Sequence, residues 1–482
     1  MNEHMDFDDI FDEKPHDKCG IFGAYDLDGD NVAQTIYYGL FSLQHRGQES
    51  SGISVSDTNG PTGVITCNKG RGLVNEVFDQ EKLDKMHGNL GVGHVRYSEA
   101  GKSGIEFAEP LVVNYYKGTL ALTHNGNIVN AKELKEKLSY EGAIFQSGSD
   151  SEIVGYLLAR ERIKVKSVEE ALLNGCKQLK GAYSLVITSP RKLIGVRDPH
   201  GFRPLCIGKR DNTYFITSET CALDTVNAEF IRDVEPGEIV IIDSEGNITS
   251  NKELAAPIPA RCIFENIYFS RPDSVFDGVG VNASRIQAGK ILARKFPVEA
   301  DVVFGVPESG NPAGLGYAME SGIPYINGFI KNSYVGRTFI KPRQSQRETA
   351  VKIKLNPIKE AIEGKRVVIV DDSIVRGTTS LRIVNMLRAA GAKEVHVRIS
   401  SPLFLHPCFF GTDIPSEENL IATGRNVEQI CEYINADSLG FLDLEDLDDV
   451  VFGHKGYCDA CFSGNYPVEP PKEYLEKKNK KS

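Results

Sequence analysis

The chain has 482 residues and a formal net charge of −11, with 55 Lys and Arg against 66 Asp and Glu. This length predicts roughly two to four domains, and the acidic balance argues against a nucleic-acid-binding protein, which normally has a basic surface. No apolar run reaches the roughly 18 residues of a transmembrane helix, and residues 1–18 lack the apolar segment of a signal peptide, so we expect a cytoplasmic protein.

Residues 1–18 carry many acidic side chains, few aliphatic ones and Pro15, which predicts an unstructured segment. A strand is predicted directly after it, from Cys19 to Tyr25. Considered alone, a Cys at the start of a strand is most often a packed thiol. The segments that follow give Cys19 a second interpretation.

Four polar motifs follow in the first half of the chain: Gln44–Ser50, Gly93–Ser98, Thr123–Asn127 and Ser149–Glu152. Together with the Cys19 start, they resemble the class II glutamine amidotransferases, whose glutaminase domain is an N-terminal-nucleophile hydrolase. The resemblance implies an α+β domain with αββα layers over residues 19–250. It also implies that residues 1–18 are a propeptide and that Cys19 becomes the N-terminal nucleophile. The freed α-amine, with a pKa of about 7.7–8, would serve as its base.

The same resemblance implies the residues that bind glutamine. The Asn125 side chain and the Gly126 N–H would form the oxyanion hole. Arg96 would clamp the substrate α-carboxylate, and Asp150 would hold the substrate α-amine. Each has an ordinary alternative: Asn-Gly is typical of a tight turn, and an Arg often forms a surface ion pair. Asp150 stands in a predicted capping box that begins at Ser149, where it would favour the helix dipole.

The rest of the first half predicts structure without further chemistry. An amphipathic helix is predicted over Ser167–Leu179 with Cys176 in its buried stripe, and strands are predicted at Ala182–Ser189 and Leu193–Val196. Residues 251–259, rich in Pro, Ala and charged side chains, predict a linker. The cysteines without metal-ligand spacing, interpreted as structural, are Cys67, Cys206 and Cys221.

Strands and helices alternate in the second half, which predicts a mostly parallel sheet. A β-branched run, Val367–Val370, ends in Asp371 and Asp372 and leads through a loop into a helix predicted over Leu381–Ala390. Backbone N–H groups and hydroxyls at such a helix start can surround a phosphate. The two carboxylates can hold ribose hydroxyls or a Mg²⁺ that carries a pyrophosphate. The ordinary alternative for such an Asp is a helix cap.

This stretch resembles the phosphoribosylpyrophosphate (PRPP) signature of type I phosphoribosyltransferases, whereas the pattern of a nucleotide-binding P-loop is absent from the sequence. The resemblance implies an α/β type I phosphoribosyltransferase domain over residues 251–470, followed by a polar tail at 471–482. The PRPP-binding residues that it implies are Asp371, Asp372, Ser373, Arg376, Gly377, Thr378, Thr379 and Ser380.

A second loop, Pro307–Gly314, is predicted after the strand Asp301–Val306. Such a loop cradles pyrophosphate in the phosphoribosyltransferases. The resemblance implies one Mg²⁺ per subunit, placed near Ser309 and the acidic pair. The family usually has Asp at the position of Glu308, and a simple turn is the ordinary alternative for so many Gly and Pro residues.

A basic stretch runs from Lys331 to Lys354 in this otherwise acidic chain. A solvated loop is the ordinary interpretation. The resemblance favours a mobile lid that closes over PRPP, excludes water and admits ammonia. Its cations are Lys331, Arg337, Lys341, Arg343, Arg347, Lys352 and Lys354.

Ten cysteines in a chain expected in the cytoplasm do not indicate a disulfide framework. Cys458 and Cys461 form a C-x-x-C pair that fits zinc, redox or iron–sulfur chemistry, and spacing alone favours zinc. The segments around Cys262, Cys408 and this pair nevertheless resemble the iron–sulfur, propeptide-bearing subgroup of the glutamine PRPP amidotransferase (amidophosphoribosyltransferase) family. The resemblance implies a structural [4Fe-4S] cluster on these four thiolates. Cys431, on an apolar helical stripe, is interpreted as core.

The resemblance to this family extends from Cys19 to about Pro471. It implies that glutamine, PRPP and water give 5-phosphoribosylamine, glutamate and diphosphate, the first committed step of purine synthesis. Ammonia would pass from Cys19 to the PRPP site. Homodimers or homotetramers and inhibition by purine nucleotides also belong to the family.

Two other hypotheses are kept. A class II amidotransferase of another subgroup, such as one for hexosamine or asparagine synthesis, would not need the PRPP stretch at residues 367–380. A non-enzymatic regulator that binds PRPP through a decayed transferase fold would not need an intact acidic pair and a complete glutaminase half.

Overall fold

A computed structural model of the chain describes residues 19–97, 104–332, 355–414 and 416–481. The predicted propeptide, 1–18, and nearly all of the predicted lid, 333–354, lie outside the described residues. Within the described residues, no helix is both long and apolar enough to span a membrane.

The first half contains two antiparallel sheets and seven α-helices among the described residues. Its strands are β1 (Cys19–Asp26), β2 (Ser50–Ser56), β3 (Thr66–Arg71), β4 (Leu90–Arg96), β5 (Leu111–Tyr115), β6 (Gly118–Ile128), β7 (Gly181–Ser189), β8 (Lys192–Arg197), β9 (Cys206–Arg210), β10 (Thr213–Thr217), β11 (Glu229–Asp233), β12 (Ile239–Ile242) and β13 (Ile248–Asn251). Its helices are α1 (Ala33–Ser42), α2 (Val74–Val77), α3 (Gln80–Asp84), α4 (Ala131–Tyr140), α5 (Asp150–Lys164), α6 (Val168–Cys176) and α7 (Thr220–Thr225), with short 3₁₀ turns at Gln44–Arg46 and Ile105–Phe107.

The two sheets stack face to face between two helical layers. One sheet has the order β11-β9-β10-β1-β4-β2-β3 and the other β13-β12-β8-β7-β6-β5. Alternate side chains of a strand point to opposite faces, so Ile21 of β1 packs between the sheets whereas Phe22 packs against α1. In the same way, Val186 of β7 lies between the sheets and Leu185 faces α5 and α6. This is the predicted αββα arrangement.

The second half is built on a parallel sheet. Its strands are β14 (Arg261–Cys262), β15 (Val275–Phe276), β16 (Val279–Gly280), β17 (Val302–Gly305), β18 (Phe329–Lys331), β19 (Leu355–Pro357), β20 (Arg366–Asp371), β21 (Glu394–Ile399), β22 (Ser438–Phe441) and β23 (Tyr457–Cys458). Its helices are α8 (Val281–Lys295), α9 (Gly310–Ser321), α10 (Lys359–Ile362), α11 (Thr378–Ala389), α12 (Val427–Tyr433), α13 (Asp446–Val450), α14 (Ala460–Ser463) and α15 (Lys472–Lys481), with a π-helical turn at Glu265–Phe269 and a 3₁₀ turn at Glu417–Asn419.

The parallel strands of the main sheet follow the order β17-β20-β21-β22. Helices cover both faces, which is why β20 is a continuous apolar run. Val368 and Val370 pack towards α8 and α9, and Val367 and Ile369 pack towards α11 and α12. The second half is therefore an α/β domain, as predicted.

Helix α11 begins three residues earlier than the predicted Leu381. Gly377 has φ 84°, a left-handed conformation that glycine adopts without steric cost, and it turns the chain so sharply that the helix starts at Thr378. A Cβ at Gly377 would also lie 2.3 Å from the Cδ1 of Ile421. Thr378, Thr379 and Ser380 therefore form the first helical turn and are not part of a loop.

Two local predictions are partly wrong. Ser149 does cap α5, since its Oγ accepts a hydrogen bond from the Glu152 N–H at 3.3 Å. The Glu152 carboxylate does not complete a capping box, however, because it accepts from the backbone N–H groups of Gln146 and Ser147. Cys431 is half-buried and lies outside the core, with its thiol 3.3 Å from the Ala436 carbonyl.

The segment predicted as a polar tail contains α15. Two ion pairs connect this helix to α4 of the first half, Lys472 with Glu133 and Lys132 with Glu473. The Tyr474 hydroxyl donates to Glu417 at 2.6 Å. The end of the chain thus contacts both halves.

Candidate active sites

The predicted nucleophile lies at the end of a central strand. Cys19 opens β1, is 8% exposed, and stands opposite Arg96 in the antiparallel pairing of β1 with β4. Strands β1 and β4 both contact β6 in the facing sheet. The strand order therefore brings Cys19, Arg96 and the Asn125–Gly126 dipeptide to one end of the sandwich.

Asn125 and Gly126 lie within β6, so the turn interpretation is wrong. Asn125 is fully buried, and neither polar atom of its amide has a hydrogen-bond partner among the described residues. Buried polar groups nearly always have hydrogen-bond partners. The unpaired amide of Asn125 is therefore suited to form hydrogen bonds with a bound ligand. Gly126 has φ 140°, and a Cβ would lie 2.2 Å from the Ala182 carbonyl oxygen. No larger residue fits there.

Arg96 and Asp150 are placed by different elements around the same end of the sandwich. The Arg96 side chain is mostly buried, its guanidinium lies 5.0 Å from the centre of the Phe107 ring, and its Nη1 has no partner among the described residues. It is therefore not the surface ion pair of the ordinary alternative. Asp150 is the first residue of α5 and accepts the Ile128 N–H at 2.8 Å. That bond fixes the α5 start against the end of β6.

The acidic pair of the second half lies at the carboxyl end of β20. Asp371 and Asp372 are both buried. Asp372 accepts hydrogen bonds from the hydroxyls of Ser309 and Ser373. The predicted pyrophosphate loop and the acidic pair are thus adjacent. Two carboxylates and a hydroxyl are hard oxygen donors of the kind that Mg²⁺ uses together with substrate phosphates.

The start of α11 places small polar groups next to this acidic pair. Thr378 and Thr379 are half-buried, Ser380 is buried, and Arg376 is exposed. A helix N-terminus with free backbone N–H groups attracts a phosphate. The basic stretch predicted as a lid lies outside the described residues beyond Asn332, and Lys331 forms an ion pair with Glu308 at 3.3 Å.

A buried ionic network between the halves was not anticipated from the sequence. Arg46 contacts Glu219 of its own half and donates to Glu265 of the second half at 2.7 Å. Arg203 donates to the other oxygen of Glu265 at 3.1 Å. Burial raises the pKa of Glu265, but the two guanidinium groups hold it below its usual value. The available signal was that Arg46 lies inside the Gln44–Ser50 motif and that Glu265 lies three residues after Cys262.

Arg285 of α8 extends this network towards the acidic pair, Asp371 and Asp372. It is almost fully buried and donates to the backbone carbonyls of Asn266 and Ser270. Burial lowers its pKa to about 10, and the carboxylates of Asp372 and Glu219 oppose that shift. Arg285 therefore stays charged at neutral pH close to the acidic pair.

A loop of the second half lies directly against the predicted oxyanion strand. The Asn127 amide donates to the Phe409 carbonyl at 2.9 Å. The approach is so close that a Cβ at Gly411 would lie 3.3 Å from the Gly126 Cα. The end of the first half that carries Asn125 and Gly126 is thus covered by the second half.

The four cysteines predicted as cluster ligands line one cavity, together with Phe202, Phe264, Phe410 and other mostly apolar residues. The parallel pairing of β14 and β23 sets Cys262 opposite Cys458. Cys461 follows on α14, and the Cys408 sulfur accepts the Phe410 N–H at 3.3 Å. Burial, followed by the neighbouring thiols, raises the pKa of Cys461. Cys67, Cys176, Cys206 and Cys221 lie elsewhere, in the first half.

Within the described ranges, no three or more His, Cys, Asp or Glu side chains form a group that could hold a metal ion.

Comparison with protein families agrees with the two-domain architecture. A glutamine amidotransferase domain matches residues 105–225, and a phosphoribosyl transferase domain matches residues 283–400. The fold and these matches define the class of protein: an enzyme that joins a glutamine amidotransferase to a phosphoribosyltransferase.

The relatives define the family within that class. The chain is 50% identical over 466 residues to an amidophosphoribosyltransferase of Methanocaldococcus jannaschii, covering 94% of this chain and 98% of that protein. It is 48% identical over 461 residues to one of Bacillus subtilis, covering 94% and 95%. A solved B. subtilis glutamine PRPP amidotransferase, complexed with ADP and GMP, superposes with a TM-score of 0.87 at 47% identity over 94% of this chain and 98% of that chain. The chain belongs to the amidophosphoribosyltransferase family.

Family membership confirms the resemblance predicted from the motifs. Three finer points stay predictions: that the chain belongs to the iron–sulfur subgroup, that residues 1–18 are a propeptide, and that the individual site residues have the roles given above.

Proposed function

We propose that this enzyme converts glutamine, PRPP and water to 5-phosphoribosylamine, glutamate and diphosphate. The observation that carries the proposal is the buried Asn125 amide, which is unpartnered within the described part of the chain. It lies two residues from the contact between Asn127 and the phosphoribosyl half. An oxyanion donor set directly against the second half is what a coupled transfer of ammonia requires.

The first reaction takes place at Cys19. Cleavage after Lys18 would free the α-amine of Cys19, which takes the thiol proton. The thiolate attacks the side-chain amide carbon of glutamine, and the Asn125 amide and the Gly126 N–H stabilise the oxyanion. As the C–N bond breaks, the α-ammonium group of Cys19 returns its proton to the departing nitrogen, which leaves as ammonia. Water then hydrolyses the remaining γ-glutamyl thioester to glutamate. Arg96 and Asp150 hold the α-carboxylate and α-amine of glutamine during these steps.

The second reaction takes place at the acidic pair. The ammonia nitrogen attacks C1 of PRPP while the bond from C1 to the diphosphate oxygen breaks, and the amine then loses one proton. Asp371 and Asp372 orient the ribose, and the first turn of α11 binds its phosphate. A Mg²⁺ held by Asp371, Asp372 and Ser309 would neutralise charge on the leaving diphosphate.

We also propose a [4Fe-4S] cluster on Cys262, Cys408, Cys458 and Cys461. The support is their common apolar cavity and the N–H donated to the Cys408 sulfur. Hydrogen bonds to sulfur and burial are features that tune such clusters. Its proposed role is structural, because neither reaction above uses the four thiols.

Metal analysis of anaerobically purified protein tests the cluster. We expect a brown protein with iron and acid-labile sulfide in equal amounts. Cys408→Ser should lose the colour and the iron, and Cys431→Ser, which alters a half-buried cysteine outside the cavity, should keep both. A colourless protein containing zinc would overturn this part of the proposal.

The Cys19→Ala variant tests the reaction. Glutamine-dependent formation of 5-phosphoribosylamine should fall to background because the nucleophile is gone, while ammonia-dependent formation should persist at the separate PRPP site. Cys431→Ala should retain both activities. Glutamine-dependent activity in Cys19→Ala would show that the nucleophile is another residue, and an absence of both activities in the parent enzyme would refute the proposed function.

Three finer features belong to the same proposal. Intact mass of the active protein should equal that of residues 19–482 if the propeptide is removed. Purine nucleotides should inhibit, since the B. subtilis structure contains ADP and GMP. Size-exclusion chromatography with light scattering should give a homodimer or homotetramer.

A further inference from the structure

Glu109 is a buried carboxylate between the two parts of the proposed glutamine site. It is 7% exposed and lies just before β5, after the short helical turn Ile105–Phe107. One carboxylate oxygen accepts the His124 N–H at 2.7 Å. The other accepts a hydrogen bond from the Ser151 hydroxyl.

The bond to His124 replaces a missing strand partner. Strand β5 pairs with β6 from Leu111 opposite Leu122, and the same antiparallel register would set Glu109 opposite His124. Strand β5 does not extend to that point, because it begins at Leu111 and Pro110 has no backbone N–H to donate. The Glu109 side chain takes over as acceptor for an N–H group that would otherwise be buried without a partner. It thereby fixes β6 one residue before Asn125.

The bond to Ser151 fixes the other part of the site. Ser151 is 2% exposed and follows Asp150 in the first turn of α5. A single carboxylate thus contacts the residue before the oxyanion-hole donor and the residue after the group that would hold the substrate α-amine. The Glu109 backbone is also confined, since a Cβ at Gly52 would lie 2.2 Å from its carbonyl oxygen.

A histidine of the sheet that contains β1 and β4 also contacts this group of residues. His94 of β4 contacts the His124 carbonyl oxygen at 3.1 Å and lies 3.5 Å from the Glu109 carboxylate. Side chains therefore contact both the backbone N–H and the backbone carbonyl of His124. This explains how a strand edge without a neighbouring strand keeps its geometry next to the reacting centre.

We propose that Glu109 is a positioning residue for the glutaminase reaction, which sets the distance between the Asn125–Gly126 oxyanion hole and the Asp150 end of α5. The proposal rests on the function proposed above. Glu109 accepts two hydrogen bonds and transfers no proton, so its shape and acceptor oxygen matter and its charge does not. A glutamine can keep the bond from His124 through its oxygen and donate its amide N–H to the Ser151 hydroxyl.

The test compares Glu109→Ala with Glu109→Gln in full-length protein. For Glu109→Ala, we expect glutamine-dependent kcat/KM to fall by about 10²-fold, because a displacement near 1 Å has an effect of that size. We expect a lower kcat as well as a higher KM for glutamine, because both parts of the site move. Glu109→Gln should retain most of the activity, and ammonia-dependent activity should be unchanged in both variants. Ser151→Ala should raise KM more than it lowers kcat.

Asp26→Ala is the matched control for loss of stability. Asp26 stands at the far end of β1 from Cys19 and accepts hydrogen bonds from Asp28 N–H, Asp30 N–H and the Thr213 hydroxyl. This variant should lower the thermal midpoint as Glu109→Ala does but leave the kinetics with glutamine unchanged.

The outcomes separate the two proposals. A parent enzyme without glutamine-dependent or ammonia-dependent activity refutes the function itself. An active parent whose Glu109→Ala variant keeps its glutamine kinetics refutes the role of Glu109, as does a Glu109→Gln variant as impaired as Glu109→Ala.

Discussion

The two candidate sites differ in whether their buried polar groups have hydrogen-bond partners. In the glutaminase half, the Asn125 amide is buried and has no partner within the described residues. In the phosphoribosyl half, Asp372 is equally buried but already accepts hydrogen bonds from Ser309 and Ser373. One site holds an unsatisfied donor in a rigid sheet, and the other keeps its charged groups hydrogen-bonded at the end of a strand.

The difference fits what each site is proposed to bind. A neutral donor aimed at a developing oxyanion is effective only if the fold holds it in place before the reaction. Leaving that donor unpaired lowers the stability of the folded protein, and the packing of the surrounding sheet compensates for this loss. Two adjacent carboxylates without hydrogen bonds would destabilise the folded protein far more. Serine hydroxyls can turn away from the carboxylates when a metal ion and its substrate arrive. We therefore expect substitutions in the two halves to affect activity and stability differently.

Asp372→Asn is expected to have the largest effect. Both glutamine-dependent and ammonia-dependent activity should fall by about 10³-fold, because the variant loses a charge that supports the metal and the leaving group. Steady-state assays with each nitrogen source measure this. Ser309→Ala removes only a neutral hydroxyl and should cost about fivefold. Loss of glutamine-dependent activity alone in Asp372→Asn would contradict the assignment of the acidic pair to PRPP.

Asn125→Leu should separate activity from stability. Glutamine-dependent kcat should fall by about 10²–10³-fold with the loss of an oxyanion donor, and ammonia-dependent activity should persist. The free energy of unfolding should rise by about 1 kcal/mol, because a near-isosteric apolar side chain removes a buried unpaired amide. Chemical denaturation gives the second value. A variant that is both active and less stable would argue that Asn125 is only structural.

The acid stability of the glutaminase half should depend on His94. Burial lowers the pKa of this histidine to about 3 in the folded protein, against about 6.5 in an unfolded chain. Between these values the unfolded state binds a proton that the folded state does not. The stabilising contribution is therefore complete above pH 6.5 and is lost as pH falls, at about 1.4 kcal/mol per unit. Unfolding of His94→Gln should show a shallower loss between pH 6.5 and 5, and an unchanged slope would refute this account.

Two helix caps give the smallest and most specific comparison. Ser149 and Ser167 cap α5 and α6 with the same hydrogen bond from the third helical N–H group. Each change to Ala should cost about 1 kcal/mol of stability. Only Ser149→Ala should also raise the KM for glutamine, by roughly threefold, because Asp150 is the next residue. Equal kinetics in the two variants would show that the α5 start does not contact substrate.

The sequence predicted local structure where the partners are neighbours along the chain. Asp371 ends β20 with Asp372 directly after it, and Ser149 caps α5, as their local patterns indicated. The roles of Cys19 and of the four distant cysteines came from the resemblance to known families and stay predictions. Long-range partners were not predictable. Glu109 accepts from His124 only because β5 begins no earlier than Leu111, and the packing of α8 is what brings the charge of Arg285 close to Asp372.

Errors arose where backbone geometry overrides residue type. Thr378 begins a helix because Gly377 adopts a left-handed conformation, although the run of hydroxyls was typical of a loop. Asn125-Gly126 resembles a turn dipeptide but continues a strand, since Gly126 uses its conformational freedom within β6. Cys431 shares a helical stripe with core residues yet stays half-buried at the helix surface.

The contact between Asn127 and Phe409 has a consequence for the order of synthesis. The two residues are 282 positions apart, so at 5–20 residues per second the ribosome adds Phe409 about 14–56 s after Asn127. The glutaminase sheets can form during that interval, while the surface beside the oxyanion strand and the Glu265 partner of Arg46 are still missing. The half that releases ammonia is thus completed only when the half that consumes it has been made.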